Sequence, residues 1–268
     1  MSGLDPQDPL IGFFVFILGS MVGSFLNVCI HRLPQGESIV RPGSHCPSCH
    51  KSIAWYDNIP LASFIMLRAK CRACSARIPT RYFAVELLNG LIWLILWFHS
   101  GLSPQFLGGV ILFSILLAVT FTDLETGLIP DKLNLAGALA GLALSALFPE
   151  IQNRTLWYQG LLASFLGILA GGGVLYLIGM IGDWIFKKET MGGGDIKLLA
   201  MMGAFLGVPK ILFVFLLAPF PAAPVALTLK LTRKAETIPF GPYLALTGAC
   251  FYVAGDPIMA WILKYYGV

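Results

Sequence analysis

Three aspartates lie at the ends of strongly apolar segments, where a charged side chain is costly and is therefore a candidate for function. Asp123 follows an apolar run that ends in LLAVTFT, and Asp131 lies eight residues further on. Asp195 follows three consecutive glycines, which are Gly192, Gly193 and Gly194. Two carboxylates at one depth can share a proton, so that one acts as a general base and the other as a general acid. Such a pair can activate a water molecule against a peptide carbonyl and then protonate the leaving amine.

Helix capping is the competing explanation for these aspartates. Asp131 precedes an apolar run, as a helix N-cap does. Asp123 has no such explanation, and we expect Asp123 rather than Asp131 to be the working residue. A helix start also suits Asp195, but a cap needs one permissive residue and not three glycines. The glycines favour a loop that lets an extended substrate approach the carboxylate. They do not form a phosphate loop, because no Lys-Ser or Lys-Thr follows them.

Four cysteines form two Cys-x-x-Cys pairs separated by 21 residues, Cys46 with Cys49 in CPSC and Cys71 with Cys74 in CRAC. Thiolates at this spacing suit tetrahedral Zn²⁺, and four sulfur ligands leave no open position, so the predicted zinc is structural. Disulfide bonds are the alternative, but a cytoplasmic loop is a reducing environment. His45 and His50 flank the first pair and could replace one of the ligands.

The elements that position these side chains are apolar helices. Of the 268 residues, 57% are hydrophobic and 12% are charged, and the mean hydropathy is +0.78. A soluble domain carries about a quarter charged residues. Runs long enough to cross about 30 Å of hydrocarbon recur along the chain. The sequence predicts an all-α polytopic membrane protein with about eight transmembrane helices, over residues 10–30, 82–99, 104–122, 132–148, 158–186, 195–207, 209–231 and 242–264. The sixth is short for a full crossing, and its boundary with the seventh depends on Val208-Pro209. Seven spans plus a re-entrant segment is the alternative.

The distribution of Lys and Arg predicts the orientation. With eight spans, fifteen of the 18 basic residues fall on one side, and Arg154, Lys210 and Lys264 fall on the other. The basic side is predicted to be cytoplasmic, which places both termini outside. The segment before the first span has no Lys or Arg, so we expect that span to be retained rather than cleaved as a signal peptide. This asymmetry accounts for the net charge of +4 without a nucleic-acid partner.

Four segments, taken together and in order, resemble the type IV prepilin peptidases, which are bifunctional leader peptidase/N-methyltransferases. They are GSFLNVCIHRLP at 23–34, the four-cysteine segment at 46–90, TDLETGLIPDKLN at 122–134 and GGGDIKLL at 192–199. The last contains the Gly-x-Gly-Asp of intramembrane aspartic proteases. The resemblance covers nearly the whole chain.

The resemblance implies that Asp123 and Asp195 are the catalytic pair and that the four cysteines bind zinc. It also implies a bacterial inner-membrane enzyme that cleaves the basic leader from prepilins and pseudopilins of type IV pilus and type II secretion systems at the cytoplasmic face. The new N-terminal amine would be methylated with S-adenosylmethionine. The expected division is a first transmembrane helix over 1–30, a zinc loop and probable methyltransferase region over 31–81, and a helical bundle with the peptidase site over 82–268. Glu37 and Asp57 are candidate cofactor-binding residues.

Two other classes of protein stay open at this point. An ion-coupled transporter would use the intramembrane aspartates to carry protons or cations, but no convincing internal repeat is present. A membrane scaffold with a zinc-knuckle interaction loop would not need the two aspartates at all.

Overall fold

The computed structural model describes residues 8–187, 192–233 and 239–266, and within these ranges the ordered elements are helices and two isolated β-bridges. The helices are α1 (Pro9–Arg32), α2 (Ala62–Met66), α3 (Thr80–Ser100), α4 (Pro104–Thr126), α5 (Asp131–Leu147), α6 (Trp157–Phe186), α7 (Gly193–Leu217), α8 (Pro219–Arg233) and α9 (Gly241–Tyr266). Short 3₁₀ turns cover Trp55–Asn58 and Pro149–Gln152. The predicted all-α fold is confirmed.

Six segments of the described chain are long and apolar enough to cross a membrane. They are α1, α3, α4, most of α6, α9 and one continuous segment from the start of α7 into α8. The predicted count of eight is therefore not confirmed. Helix α5 lies where a span was expected, but its 17 residues extend only about 26 Å.

Helix α7 is interrupted at Gly207, whose φ of 71° and ψ of 175° are not helical. This interruption lies next to the predicted boundary at Val208-Pro209. The part of α7 before the interruption, from Gly193 to Leu206, is here called its first limb. It is about 21 Å long and does not cross about 30 Å of hydrocarbon by itself. The helix then continues past Pro209 to Leu217, so the next break lies at Ala218, which the sequence did not predict.

The backbone carbonyl of Ala204, just before this interruption, is satisfied by side chains. It accepts hydrogen bonds from Gln152 Nε2 at 2.9 Å, from Ser164 Oγ at 2.8 Å and from Ser145 Oγ at 3.4 Å. Backbone polar groups at membrane depth need such partners, because no water is present there. The three donors come from α5, from the 3₁₀ turn after it and from α6, so these elements hold the first limb of α7 at its end.

The chain forms two compact units, Met1–Ala118 and Val119–Val268. In the first, Asn89 of α3 donates to the Gly19 carbonyl of α1 at 2.7 Å and accepts from Ser114 of α4 at 3.0 Å. In the second, α6 and α7 approach so closely that a Cβ on Gly167 would collide with the Gly203 carbonyl. The helices of both units therefore meet through buried hydrogen bonds and small residues as well as through apolar side chains, as is usual between membrane helices.

Candidate active site

Asp123 lies near the end of α4 and is 6% exposed. Helix α4 ends three residues later, where Gly127 adopts a φ of 66° and donates its N–H to the Asp123 carbonyl at 2.9 Å. A glycine in this left-handed conformation commonly ends a helix. The Asp123 side chain accepts a hydrogen bond at Oδ2 from the backbone N–H of Gly241, the first residue of α9, at 2.9 Å. The carboxylate is therefore fixed by an element 118 residues away in sequence.

Ile129 connects the end of α4 to the starts of α7 and α9. A Cβ on Gly241 would lie 2.7 Å from Asp123 Oδ2 and 3.1 Å from Ile129 Cδ1. A Cβ on Gly194 would lie 2.9 Å from the Cβ of the same isoleucine. Both glycines therefore pack directly against the segment that follows Asp123. The absence of their side chains is what lets the two helix starts come so close.

Asp195 follows Gly194 in the first turn of α7 and is partly buried. Its backbone N–H donates to the Gly192 carbonyl at 3.1 Å, and Gly192 is the N-cap residue of the helix. The carboxylates of Asp195 and Asp123 lie close enough to interact through their charges. The structure thus brings together the two aspartates whose pairing the sequence predicted.

Asp131 lies in a different environment. It pairs with Lys197 through an Nζ–Oδ2 distance of 2.7 Å, and its side chain is 67% exposed. The prediction that Asp131 caps α5 is wrong, because Pro130 is the N-cap residue and no side chain caps the helix. Pro130 fixes the extended backbone at this point, so Asp131 becomes the first helical residue and its side chain is free to pair with Lys197.

The three glycines before Asp195 differ in their surroundings. Gly194 packs against Ile129, whereas a Cβ on Gly193 would meet nothing within 4 Å. A Cβ on Gly192 would lie 3.4 Å from Asp195 Oδ2, at an ordinary contact distance. Close packing accounts for Gly194 alone, and the predicted substrate-loop role of the triplet stays a prediction.

The four cysteines form one cluster. The sulfur atoms of Cys46, Cys49, Cys71 and Cys74 all lie within 4.8 Å of one another. The Cys46 and Cys74 sulfurs are 3.8 Å apart, too far for a disulfide and equal to the separation of about 3.8 Å that tetrahedral Zn–S bonds of about 2.3 Å require. Backbone N–H groups of Cys49 and Ser48 lower the pKa of the Cys46 thiol to about 6, which favours the thiolate that a metal binds. The donor set therefore fits a tetrahedral metal.

The two cysteine pairs share one backbone conformation. Cys46 donates to the Lys51 carbonyl at 3.0 Å, and Cys71 donates to the Ala76 carbonyl at 2.8 Å. The residue after each second cysteine, His50 or Ser75, has a φ near +60° and donates back to the first cysteine of its pair. Such a matched pair of tight turns directs all four sulfurs to one point.

The other candidate ligands are occupied elsewhere or exposed. Within the described residues, the group that could hold a metal consists of the four cysteines, while the His45 and His50 rings stack on each other at 6.2 Å. Both carboxylate oxygens of Asp57 accept from Arg72, at 2.8 and 2.6 Å, and this ion pair lowers the pKa of Asp57. Glu37 is exposed. The predicted role of Glu37 and Asp57 in cofactor binding stays a prediction.

Sequence reasoning missed Gly241 and Ile129. The Pro-Phe-Gly-Pro run at 239–242 is a turn signal that places the start of the last helix. Nothing in that signal indicates which distant carboxylate the Gly241 N–H will reach. Ile129 could not be singled out either, since it is an ordinary apolar residue in the short connection between Gly127 and Pro130.

Comparisons with known proteins give consistent results. The family model of the bacterial Peptidase A24 N-terminal domain matches residues 17–100, and that of the type IV leader peptidase family matches residues 110–227. Three relatives are named prepilin leader peptidase/N-methyltransferase. The protein from Aeromonas hydrophila is 36% identical over 93% of this chain and 92% of its own length, and that from Neisseria gonorrhoeae is 33% identical over 96% of both. The protein from Myxococcus xanthus is 39% identical over 83% of this chain, which spans 64% of that relative. No solved structure matches the chain.

Proposed function

The chain belongs to the type IV leader peptidase family, and we propose on that basis that it cleaves the leader peptide from prepilin-type substrates and methylates the new N-terminal amine. The observation that supports the peptidase half is that Asp123, held by the Gly241 N–H, and Asp195 lie close enough for their charges to interact. The comparisons give no support to the transporter alternative.

The geometry supports a water-mediated hydrolysis. The Gly241 N–H holds Oδ2 of Asp123, and in this proposal Oδ1 faces a water molecule or the substrate. The ionised aspartate takes a proton from a water molecule while the oxygen of that water attacks the scissile carbonyl carbon. The protonated member then donates to the nitrogen as the C–N bond breaks, and the proton count of the pair is restored. No covalent bond to the protein forms in this sequence.

The active site is placed at the cytoplasmic face of the inner membrane in this proposal. Asp123 lies at the end of α4 and Asp195 at the start of α7, and a basic residue lies near each of these helix ends, Lys132 at the start of α5 and Lys197 near the start of α7. The positive charge near these two helix ends supports a cytoplasmic location. The first seven residues lie outside the described ranges.

The cysteine cluster would hold one Zn²⁺ with all four positions filled by protein, so its role is to fold the loop between α1 and α3. When bound, S-adenosylmethionine would supply the electrophilic methyl group for methylation of the new N-terminal amine. A cationic methyl donor favours a nearby carboxylate, and the exposed Glu37 is freer to provide one than Asp57, which is paired with Arg72. The site of that cofactor remains a proposal.

A cleavage assay on a prepilin substrate in proteoliposomes tests the peptidase proposal. We expect Asp123→Asn and Asp195→Asn each to lose at least about 10²-fold in rate, because each removes one partner of the acid–base pair. Asp131→Asn is the matched control, since it removes a carboxylate that is exposed and engaged with Lys197, and it is expected to retain cleavage.

Folding of each variant is checked by zinc content and thermal unfolding in detergent. Loss of cleavage in Asp131→Asn with survival of Asp123→Asn would move the first carboxylate to Asp131. Undiminished cleavage by all three folded variants would overturn the two-aspartate mechanism.

A further inference from the structure

Residues Trp55–Met66, here called the aromatic segment, carry an unusual amount of exposed apolar surface for a loop outside the transmembrane helices. Trp55 and Met66 are both 80% exposed and Ile65 is 65% exposed, and Tyr56 and Ile59 are exposed as well. Exposed apolar patches of this kind mark binding surfaces for proteins or membranes.

The aromatic segment is fastened to a transmembrane helix. The backbone N–H of Leu61 donates to Glu86 Oε2 at 2.8 Å, and Leu61 adopts a φ of 61° at this point. Glu86 is 8% exposed and lies six residues beyond Thr80, the first residue of α3, which is about 9 Å along the helix. The segment is therefore held beside the first turns of α3, at one end of a helix that is long and apolar enough to cross a membrane.

Further hydrogen bonds tie the segment together and connect it to the second cysteine pair. Ser63 donates its hydroxyl to the Tyr56 carbonyl at 3.0 Å and its N–H to the Ile59 carbonyl at 3.1 Å. Asp57 forms a two-point ion pair with Arg72, which lies inside the second cysteine pair. The side chains at Trp55 and Met66 are thus presented from a fixed scaffold that the metal site helps to hold.

The charge around the segment is positive. The connection between α1 and α3, residues 33–79, contains six basic residues and two acidic ones, Glu37 and Asp57. Arg68 and Lys70 lie two and four residues after Met66 and are exposed. Even if four thiolates on a Zn²⁺ contribute two negative charges, a positive excess remains. Basic residues next to an aromatic surface suit a layer of anionic lipid headgroups.

We propose that the aromatic segment is a membrane-surface anchor, which inserts Trp55, Ile65 and Met66 into the headgroup region of an anionic leaflet. The hydrogen bond to Glu86 sets the depth of the segment, and the neighbouring basic residues contact lipid phosphates. Lipid is favoured over a protein partner because the segment is fastened at one end of a helix that can cross a membrane and its surroundings complement anionic headgroups. This anchor is independent of the peptidase and methyltransferase reactions.

Fluorescence quenching by brominated lipids tests the proposal on the full chain in nanodiscs. The contribution of Trp55 is obtained by subtracting the signal of Trp55→Phe from that of the wild type. We expect most of this contribution to be lost when the acyl chains are brominated near the headgroup, and to be more strongly quenched with phosphatidylglycerol than with phosphatidylcholine alone. The matched control is Trp97→Phe, because Trp97 is 1% exposed and its contribution is expected to remain.

Two further arms make the result decisive. Glu86→Ala removes the acceptor for Leu61 and is expected to lower quenching by lipid and raise quenching by acrylamide, whereas Glu86→Gln keeps an acceptor oxygen and is expected to resemble the wild type. Trp55 that is quenched by acrylamide and not by brominated lipid would overturn the proposal. Protection of such a Trp55 on addition of a prepilin peptide would assign the surface to the substrate instead.

Discussion

Gly241, Gly194 and Gly193 are chemically identical residues with different surroundings. Gly241 faces the Asp123 carboxylate, Gly194 faces Ile129, and Gly193 faces open space. At the first two positions even one methyl group would have to displace an atom of the site. Close packing therefore requires glycine at positions 241 and 194, but not at position 193.

We expect Gly241→Ala to reduce prepilin cleavage by about 10²-fold, because its Cβ would lie 2.7 Å from Asp123 Oδ2 and displace that carboxylate. Gly173→Ala is the control, because a Cβ there meets nothing within 4 Å and the residue lies outside the glycine triplet, and it should keep cleavage within a few-fold of the wild type. The measurement is the initial rate at saturating substrate, with the thermal midpoint recorded for each variant. Wild-type cleavage by a folded Gly241→Ala would show that the position of Asp123 is not set by this contact.

At the scale of elements, the packing of α7 decides where Asp195 can lie. Gly167 of α6 meets Gly203 of α7 at backbone contact, and a Cβ on Gly171 would lie 2.5 Å from the Leu199 carbonyl. The same limb of α7 ends at the Ala204 carbonyl, which is held by three side-chain donors. The limb that carries Asp195 is thus fixed along its side and at its end.

Gly167→Ala is expected to destabilise the protein strongly, because its Cβ would overlap the Gly203 carbonyl and force α6 and α7 apart. Gly173→Ala, on the same helix, meets nothing within 4 Å and is expected to be neutral or to stabilise the helix by up to about 1 kcal/mol. Thermal unfolding in detergent measures both. Equal midpoints for the two variants would contradict the close approach of the helices.

At the scale of the whole molecule, the chain combines apolar helices with a loop whose core is a group of thiols. The connection between α1 and α3 has few buried apolar side chains, among which Cys46 is itself a candidate metal ligand. A segment of this kind depends on its metal for folding, since too little apolar surface is buried to hold it otherwise.

Purified protein is expected to contain one zinc per chain, and Cys71→Ser is expected to lose it. Limited proteolysis should then cut within residues 33–79 of the variant much faster than in the wild type. Cys250→Ser is the matched control, because Cys250 lies outside the cluster and the variant should keep both its zinc and its resistance. Full zinc content in Cys71→Ser would remove that residue from the ligand set.

Much of the site followed from the sequence because it depends on local signals. The two Cys-x-x-Cys pairs, the glycines before Asp195 and the break near Pro209 are set by residue type and spacing within a few positions. Long apolar runs predicted the helices, since hydrocarbon accepts few other backbone structures. The number of crossings did not follow, because hydropathy measures apolar length and not where a kinked helix such as α7 turns.

Other features were decided only by tertiary structure. Asp123 and Asp131 are the same residue type and close in sequence, yet Asp123 accepts a hydrogen bond from Gly241 and Asp131 pairs with Lys197. The hydrogen bond from Leu61 to Glu86 likewise joins residues that no local pattern connects. Composition and periodicity determined that this chain is a membrane-embedded helical protein with a thiol cluster and candidate acids. Only the packing of distant helix ends determined which acids meet, because contacts between remote segments depend on shape and not on local sequence.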